Sequence, residues 1–239
     1  MISQADLKRF ASLAQTKYRQ KYDQFLVEGR KAVEEVFHSD FQIDTILATE
    51  AFVTKHQPPF PFYTIPSKDM NRLSQFVSPP GIIAIVNKPK EVLATLQPGL
   101  NLVLDGIADP GNLGTILRIA DWYGLRQLWL SDDCVDETNP KVIAASMGSF
   151  CRVICLRNAE SVWQTATSIF GADLDGTSLY KIEVPTTPYV LIMGSESHGL
   201  RPAFAKTLTQ RLTIPRIGFA ESLNVSVSTG IIMDRLLTQ

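Results

Sequence analysis

Apolar residues along the chain fall into short runs whose period switches between strand-like and helical, with glycine- or proline-bearing segments between them. In the first third, residues 4–13 and 30–38 read as helices, the second with Ala32, Val33, Val36 and Phe37 on one stripe. Residues 25–27, 43–48, 62–65 and 82–86 read as strands. A helical turn at 52–56, a break at Pro58, Pro59 and Pro61, and a helix 67–76 capped by Ser67 lie among them. The rest alternates more regularly: strand 100–104, the loop DGIADPGNLG, helix 114–123, strand 127–130, and helix 140–146 capped by Asn139 with Pro140 at its first position. Strand 151–155, helix 161–169 and a short strand 171–174 follow. The apolar run 189–193, bounded by Pro188 and Gly194, suits a buried parallel strand. Strand 211–214 ends at Pro215, and Ser222 is the expected N-cap of a mostly apolar helix reaching Leu237.

The pattern implies an α/β protein with a small domain at 1–90, a boundary segment at 91–99, and a larger domain at 100–239 built on a mainly parallel sheet. The boundary carries Pro98 and Gly99, but Val92, Leu93 and Leu96 make it too apolar for a free linker. In open α/β sheets ligands bind beyond the carboxyl ends of the strands. The loops after 189–193 and 211–214 are therefore the first candidate ligand site.

A chain of 239 residues, 45% hydrophobic, can bury a sizeable core. Its apolar runs are too short to span a bilayer, and MISQADLKRF lacks the apolar stretch of a signal peptide. Cys134, Cys151 and Cys155 form no metal-ligand pattern, and their odd number argues against a disulfide framework, so reduced thiols of a cytoplasmic protein are expected. Residues 1–90 hold 12 Lys/Arg against 9 Asp/Glu. Such a basic part suits either a phosphate-binding surface or an ordinary solvated helix. In KYRQK, residues 17–21, an aromatic is interleaved with cations.

Gly111, Gly114 and the acidic pair Asp132/Asp133 imitate a dinucleotide fingerprint, but position 109 is Asp where the first G-x-G pair needs glycine. Arg118, in an otherwise apolar helical segment, is either salt-bridged or aimed at a phosphate.

Three stretches in order, LDGIADPGNLGTILRIADWYG, LIMGSESHGL and IPRIGFAESLNVSVSTGIIM, resemble the signature motifs of the SpoU (TrmH-type) RNA 2′-O-ribose methyltransferases of the SPOUT superfamily. KYRQKYDQFLVEGRKAVEEVF resembles, more loosely, that family's L30e-like substrate-binding domain. The resemblance implies a deep trefoil knot in the C-terminal domain and S-adenosyl-L-methionine held there by Met193, Gly194, Ile214, Ser222 and Leu223. It implies a reaction centre of Asn112, Arg118, Glu196, Ser222 and Asn224, and a structured RNA as substrate, with ribosomal RNA favoured over transfer RNA. Lys17, Arg19, Lys21 and Arg30 become the candidate RNA contacts. The family proposal makes Arg118 a general base; a guanidinium stays protonated in proteins, so a cation that holds ribose and phosphate fits better. A homodimer is also implied, with Val225, Ile231, Ile232 and Leu236 of the last helix in need of cover.

The chain departs from the family pattern at Ser197, where glycine is common, and at His198, where Lys or Arg is common. Ala144 replaces a frequent Arg, and Arg216 stands where an apolar residue is usual. The alternatives to a ribosomal RNA enzyme are a transfer RNA 2′-O-methyltransferase and a non-catalytic RNA-binding knotted module.

Overall fold

The computed structural model describes residues 2–89, 93–157 and 160–238. In chain order its first elements are α1 (Gln4–Ser12), α2 (Thr16–Tyr22), β1 (Gln24–Glu28), α3 (Arg30–Phe37), β2 (Ile43–Ala48), α4 (Glu50–His56), β3 (Tyr63–Thr64), α5 (Ser67–Leu73) and β4 (Ile82–Asn87). There follow β5 (Leu100–Asp105), α6 (Pro110–Trp122), β6 (Gln127–Leu130), α7 (Pro140–Ser146), β7 (Ile154–Leu156) and α8 (Glu160–Trp163). The last are β8 (Ser168–Ser178), β9 (Tyr189–Gly194), α9 (Pro202–Ala205), β10 (Gln210–Thr213) and α10 (Val225–Leu237). Two compact units result: one from the residues through 89 with Asp136–Cys151, the other from residues 93–135 and those from 152 onward.

The first unit is a four-stranded sheet in the order β1-β4-β2-β3, antiparallel except between β2 and β3. Helix α1 begins where Ser3 and Asp6 form a reciprocal capping box, and its Leu7 and Phe10 join Leu26, Leu47 and Ile83 in the core. Helix α5 starts after Pro66, without a side-chain cap from Ser67, and stops three residues before the periodicity predicts. Glu28 is the cause: its carboxylate accepts the Ser74 hydroxyl at 2.5 Å and the Gln75 N–H at 2.9 Å, drawing the chain out of the helix. Burial raises the Glu28 pKa, with these two bonds working against the rise. The segment Asp136–Cys151, which the sequence reading placed with the C-terminal sheet, packs instead in this unit. Its Phe150 lies edge-on to Phe25 at 6.2 Å.

The second unit is a six-stranded sheet, β10-β8-β9-β5-β6-β7, in which every pair is parallel. The chain lays β6 and β7 to one side of β5 and returns with β8, β9 and β10 on the other. Strand order therefore reverses between β5 and β9, whose last residues, Asp105 and Gly194, are partners in register. Helix α10 packs on α6 and against β9. Residues 91 and 92 of the expected boundary lie outside the described residues. Nearby, Asn101, 2% exposed, binds Gln97 through both its side-chain carbonyl and its amide, so residues 97–101 are fixed and not a loose tether.

Five further expectations need correction. Helix α6 starts at Pro110, four residues early, because Asp109 is its N-cap and accepts the Asn112 N–H at 2.8 Å. Strand β7 is short and follows a 3₁₀ turn at Ser149–Cys151. The helix expected at 161–169 is a single turn, and β8 runs eleven residues. A Cβ on Gly176 would sit 2.6 Å from the Arg211 carbonyl oxygen, so only glycine lets β10 approach there. The cap of α10 is Asn224, which accepts the Ser226 N–H, and not Ser222. Among the described residues no helix is long and apolar enough to cross a membrane.

Candidate active site

Three segments distant in sequence meet at the reversal between β5 and β9. Asn112 is in the first turn of α6, Glu196 is in the loop after β9, and Asn224 caps α10. Glu196 Oε1 accepts the Asn112 amide at 3.1 Å, the Asn224 amide at 2.6 Å and the Val225 N–H at 3.3 Å. The Asn224 amide also donates to Asn112 Oδ1 at 2.9 Å. One carboxylate oxygen thus gathers the first turns of two helices, where N–H groups favour an anion. Among the described residues the other oxygen, Oε2, accepts no hydrogen bond.

Arg118 is exposed on α6, about 120° round the helix from Asn112 at 100° per residue. Among the described residues it forms no ion pair or hydrogen bond, so the salt-bridge reading finds no partner there. Ser222 is exposed and stays outside the hydrogen-bonded cluster. His198 is exposed as well, its N–H donating to Ser195 Oγ at 3.2 Å.

The residues expected around a cofactor divide into two groups. Met193 is 2% exposed and is a core residue of β9; Gly194 and Ile214 are half-buried. Ser222 and Leu223 belong to the exposed loop after β10, where Ile217 and Phe219 are fully exposed beside Gly218. Among the described residues the N–H groups of residues 217–223 bind no other backbone group. Free backbone donors next to apolar side chains fit a ligand with an adenine edge and no phosphate, which is the chemistry of S-adenosylmethionine. Gly194 also has a packing role. A Cβ there would meet the Gly199 carbonyl carbon at 2.4 Å, so its small size lets the loop fold back on the strand.

Comparison with known proteins places the chain in a family. The model of the SpoU rRNA methylase family matches residues 99–234, which is more than half of the chain. The chain belongs to the SpoU rRNA methylase family. Residues 4–84 match the MRM3-like substrate binding domain. The chain is 29% identical over 238 residues to the 23S rRNA (guanosine(2553)-2′-O)-methyltransferase RlmP of Bacillus subtilis, covering 96% of this chain and 95% of that one. A structure from Porphyromonas gingivalis, assigned to the TrmH family of RNA methyltransferases, is 36% identical and superposes with a TM-score of 0.88 over 100% and 99% of the two chains. The AdoMet-bound rRNA methyltransferase from Sinorhizobium meliloti is 26% identical, with a TM-score of 0.85 over 99% and 96%.

In this SpoU family member the MRM3-like domain holds the four basic residues expected to face RNA, and one of them cannot. Arg19 is 1% exposed. Its guanidinium donates to Asp136 Oδ2 at 3.0 and 2.7 Å, to the Leu13 and Ala14 carbonyls at 3.0 and 2.9 Å, and to Thr16 Oγ1 at 2.9 Å. It is a structural residue, and no signal in KYRQK separates it from its neighbours except helical phase. Burial works to raise the Asp136 pKa, but bonds from Thr138 and the charge of Arg19 outweigh it and hold the carboxyl below its ordinary value. Lys17 and Lys21 are exposed and lie over the Tyr18 and Tyr22 rings at 4.8 and 5.4 Å. Arg30 is exposed, paired with Glu34 at 2.7 Å and within 3.2 Å of His56 Nδ1. Ala144, where the family often has Arg, is on α7. Arg216 donates to the Ala220 carbonyl inside its own loop.

Proposed function

We propose that this protein methylates a ribose 2′-hydroxyl in ribosomal RNA, with S-adenosylmethionine as methyl donor. The observation that carries the reading is the junction of Asn112, Glu196 and Asn224 on one carboxylate oxygen at the strand-order reversal, in a chain of the SpoU family. The cofactor, when bound, supplies an electrophilic sulfonium methyl. The chain's own residues position the nucleophile, a task worth several orders of magnitude in rate. Glu196, with three donors fixing one oxygen, orients Asn112, whose second amide N–H would reach the ribose; Asn224 uses both amide N–H groups on Glu196 and Asn112 and its carbonyl on Ser226, and so positions the other two. Arg118, exposed and without an ion pair among the described residues, holds the ribose and its phosphate and stabilises negative charge developing on the 2′-oxygen. Ser222 completes the set from the exposed loop that also carries Leu223. Lys17, Lys21 and Arg30 contribute phosphate contacts.

The choice of ribosomal over transfer RNA is supported by the MRM3-like domain and by the RlmP likeness. The return of α10 to β9 after β10 supports a trefoil knot around the cofactor loops. A cytoplasmic homodimer completes the reading. Val225, Ile232 and Leu236 are already covered within the subunit, so the surface for a second copy consists of other residues: Trp122 (85% exposed), Val227, Ile217 and Phe219. Calorimetry with S-adenosylhomocysteine, beside transfer of labelled methyl into ribosomal and transfer RNA, tests the proposal. Absence of ligand binding up to millimolar concentration would favour the non-catalytic RNA-binding module; label in transfer RNA alone would favour the other enzyme.

A further inference from the structure

We infer that Asp105 and Arg201 are positioning residues that hold the Glu196 loop against the segment carrying Asn112; the kinetic part of this inference rests on the methylation reading above. Asp105 is the last residue of β5 and is completely buried. Its carboxylate accepts the backbone N–H of Arg201 at 2.8 Å on one oxygen and the Arg201 Nε–H on the other. The same guanidinium reaches Asp133 Oδ1 at 3.2 Å and lies over the Phe204 ring at 4.8 Å. Asp133 accepts the Ser131 hydroxyl at 2.6 Å, and that hydroxyl accepts the Gly106 N–H at 2.9 Å. Arg201 is thereby fastened to the end of β5, to the turn after β6, and to α9.

The loop between Gly194 and Arg201 carries Glu196, and both of its ends are pinned. At its start, Gly194 pairs in register with Asp105. Within it, Ser195 and Gly199 exchange two backbone hydrogen bonds of 3.1 and 2.9 Å. At its end stands the Asp105–Arg201 pair. Asp105 also leads directly into the segment where Asp109 caps α6 and fixes Asn112. One buried carboxylate therefore sets the separation of the two segments that meet at Glu196 Oε1. Neither Asp105 nor Arg201 bonds to Asn112, Glu196 or Asn224 among the described residues; the pair acts through the loop.

Both groups aimed at Asp105 are donors, so an amide of the same volume fails: Asp105→Asn turns one acceptor into a donor facing a donor. The test combines amide hydrogen exchange, read on a peptide spanning residues 194–201, with single-turnover methyl transfer at saturating cofactor. Asp105→Asn should speed exchange of that peptide and slow transfer roughly ten- to hundredfold, with KM for RNA changed by less than about threefold. Arg201→Ala should do the same, and Arg201→Lys should restore part of the rate by reaching one carboxylate oxygen. Since Arg201 is at a loop end and 40% exposed on its side chain, its variants carry the comparison if Asp105→Asn does not fold. In a Glu196→Gln background, Asp105→Asn should cost less than about twofold, because it acts through a group already removed. Unchanged exchange in Asp105→Asn and Arg201→Ala, or fully multiplicative rate losses in the double variant, would overturn the inference. A wild-type protein that places no methyl on ribose would sink the methylation reading instead, and the exchange comparison would still decide the clamp.

Discussion

Replacing Arg19 separates a folding role from an RNA-binding one. Arg19→Met removes five hydrogen bonds of 2.7–3.0 Å and keeps most of the side-chain volume, but it strands Asp136 and the Leu13 and Ala14 carbonyls. Removing one partner of a buried ion pair costs about 3–5 kcal/mol, because the other charge is left buried. For a chain of this size each kcal/mol is worth about 2–4 °C, so melting should fall by roughly 10 °C. Asp136→Asn in the same background should recover much of the loss, since Thr138 can still donate to the amide carbonyl. Titrations of RNA against salt read the other role. A phosphate contact at Arg19 would contribute roughly 0.7–0.9 to the slope of log K against log salt. We expect the slope of the folded variant to equal that of wild type. A variant as stable as wild type whose slope has dropped by that amount would refute the structural role.

Arg118→Ala should leave S-adenosylhomocysteine affinity within about twofold and lower methyl transfer by about a hundredfold or more, with Arg118→Lys rescuing poorly; calorimetry and rate measurements on the same samples check it, and a large melting shift would point back to a structural role. Gly194→Ala should both weaken cofactor binding and loosen the loop, because the new methyl meets Gly199 and Leu200 backbone atoms at 2.4–2.6 Å; unaltered binding would count against the close packing of that loop. Burial raises the Glu28 pKa above its ordinary value of 4.5, so stability from this group is present below that value and lost as pH rises through the raised one. Glu28→Gln should therefore gain on wild type in melting temperature as the pH rises from about 4.5 through the raised value, and a difference independent of pH would show that Glu28 does not titrate as its burial requires.

Legibility followed the physics of each element. The parallel strand 189–193 was readable because burial on both faces demands an unbroken apolar run, and Tyr189–Gly194 is that strand. The alternation of the chain gave the α/β class, but not the strand order, because pairing depends on contacts that no local window contains. Helix α6 was misread at its start since DPGN looks like a turn; an Asp N-cap followed by Pro at the first helical position was the available signal. The packing of Asp136–Cys151 with the N-terminal unit was hidden because its partners, Arg19 and Phe25, are more than a hundred residues away in sequence. Asn112, Glu196 and Asn224 were identified by resemblance to the family motifs, and the bonds joining them were not. Asp105 and Arg201 drew no notice, because a buried carboxylate at a strand end and a loop arginine are unremarkable until a fold brings them together.

The most direct measurement uses the chemistry of the 2′-oxygen itself. Alkali cleaves RNA through attack of the 2′-hydroxyl on the neighbouring phosphate, and a 2′-O-methyl group blocks that step. Ribosomal RNA methylated by this protein from labelled S-adenosylmethionine should, after complete alkaline hydrolysis, carry its label in resistant dinucleotides. Label recovered instead in mononucleotides, on the base, would show that the protein transfers methyl groups to a different atom.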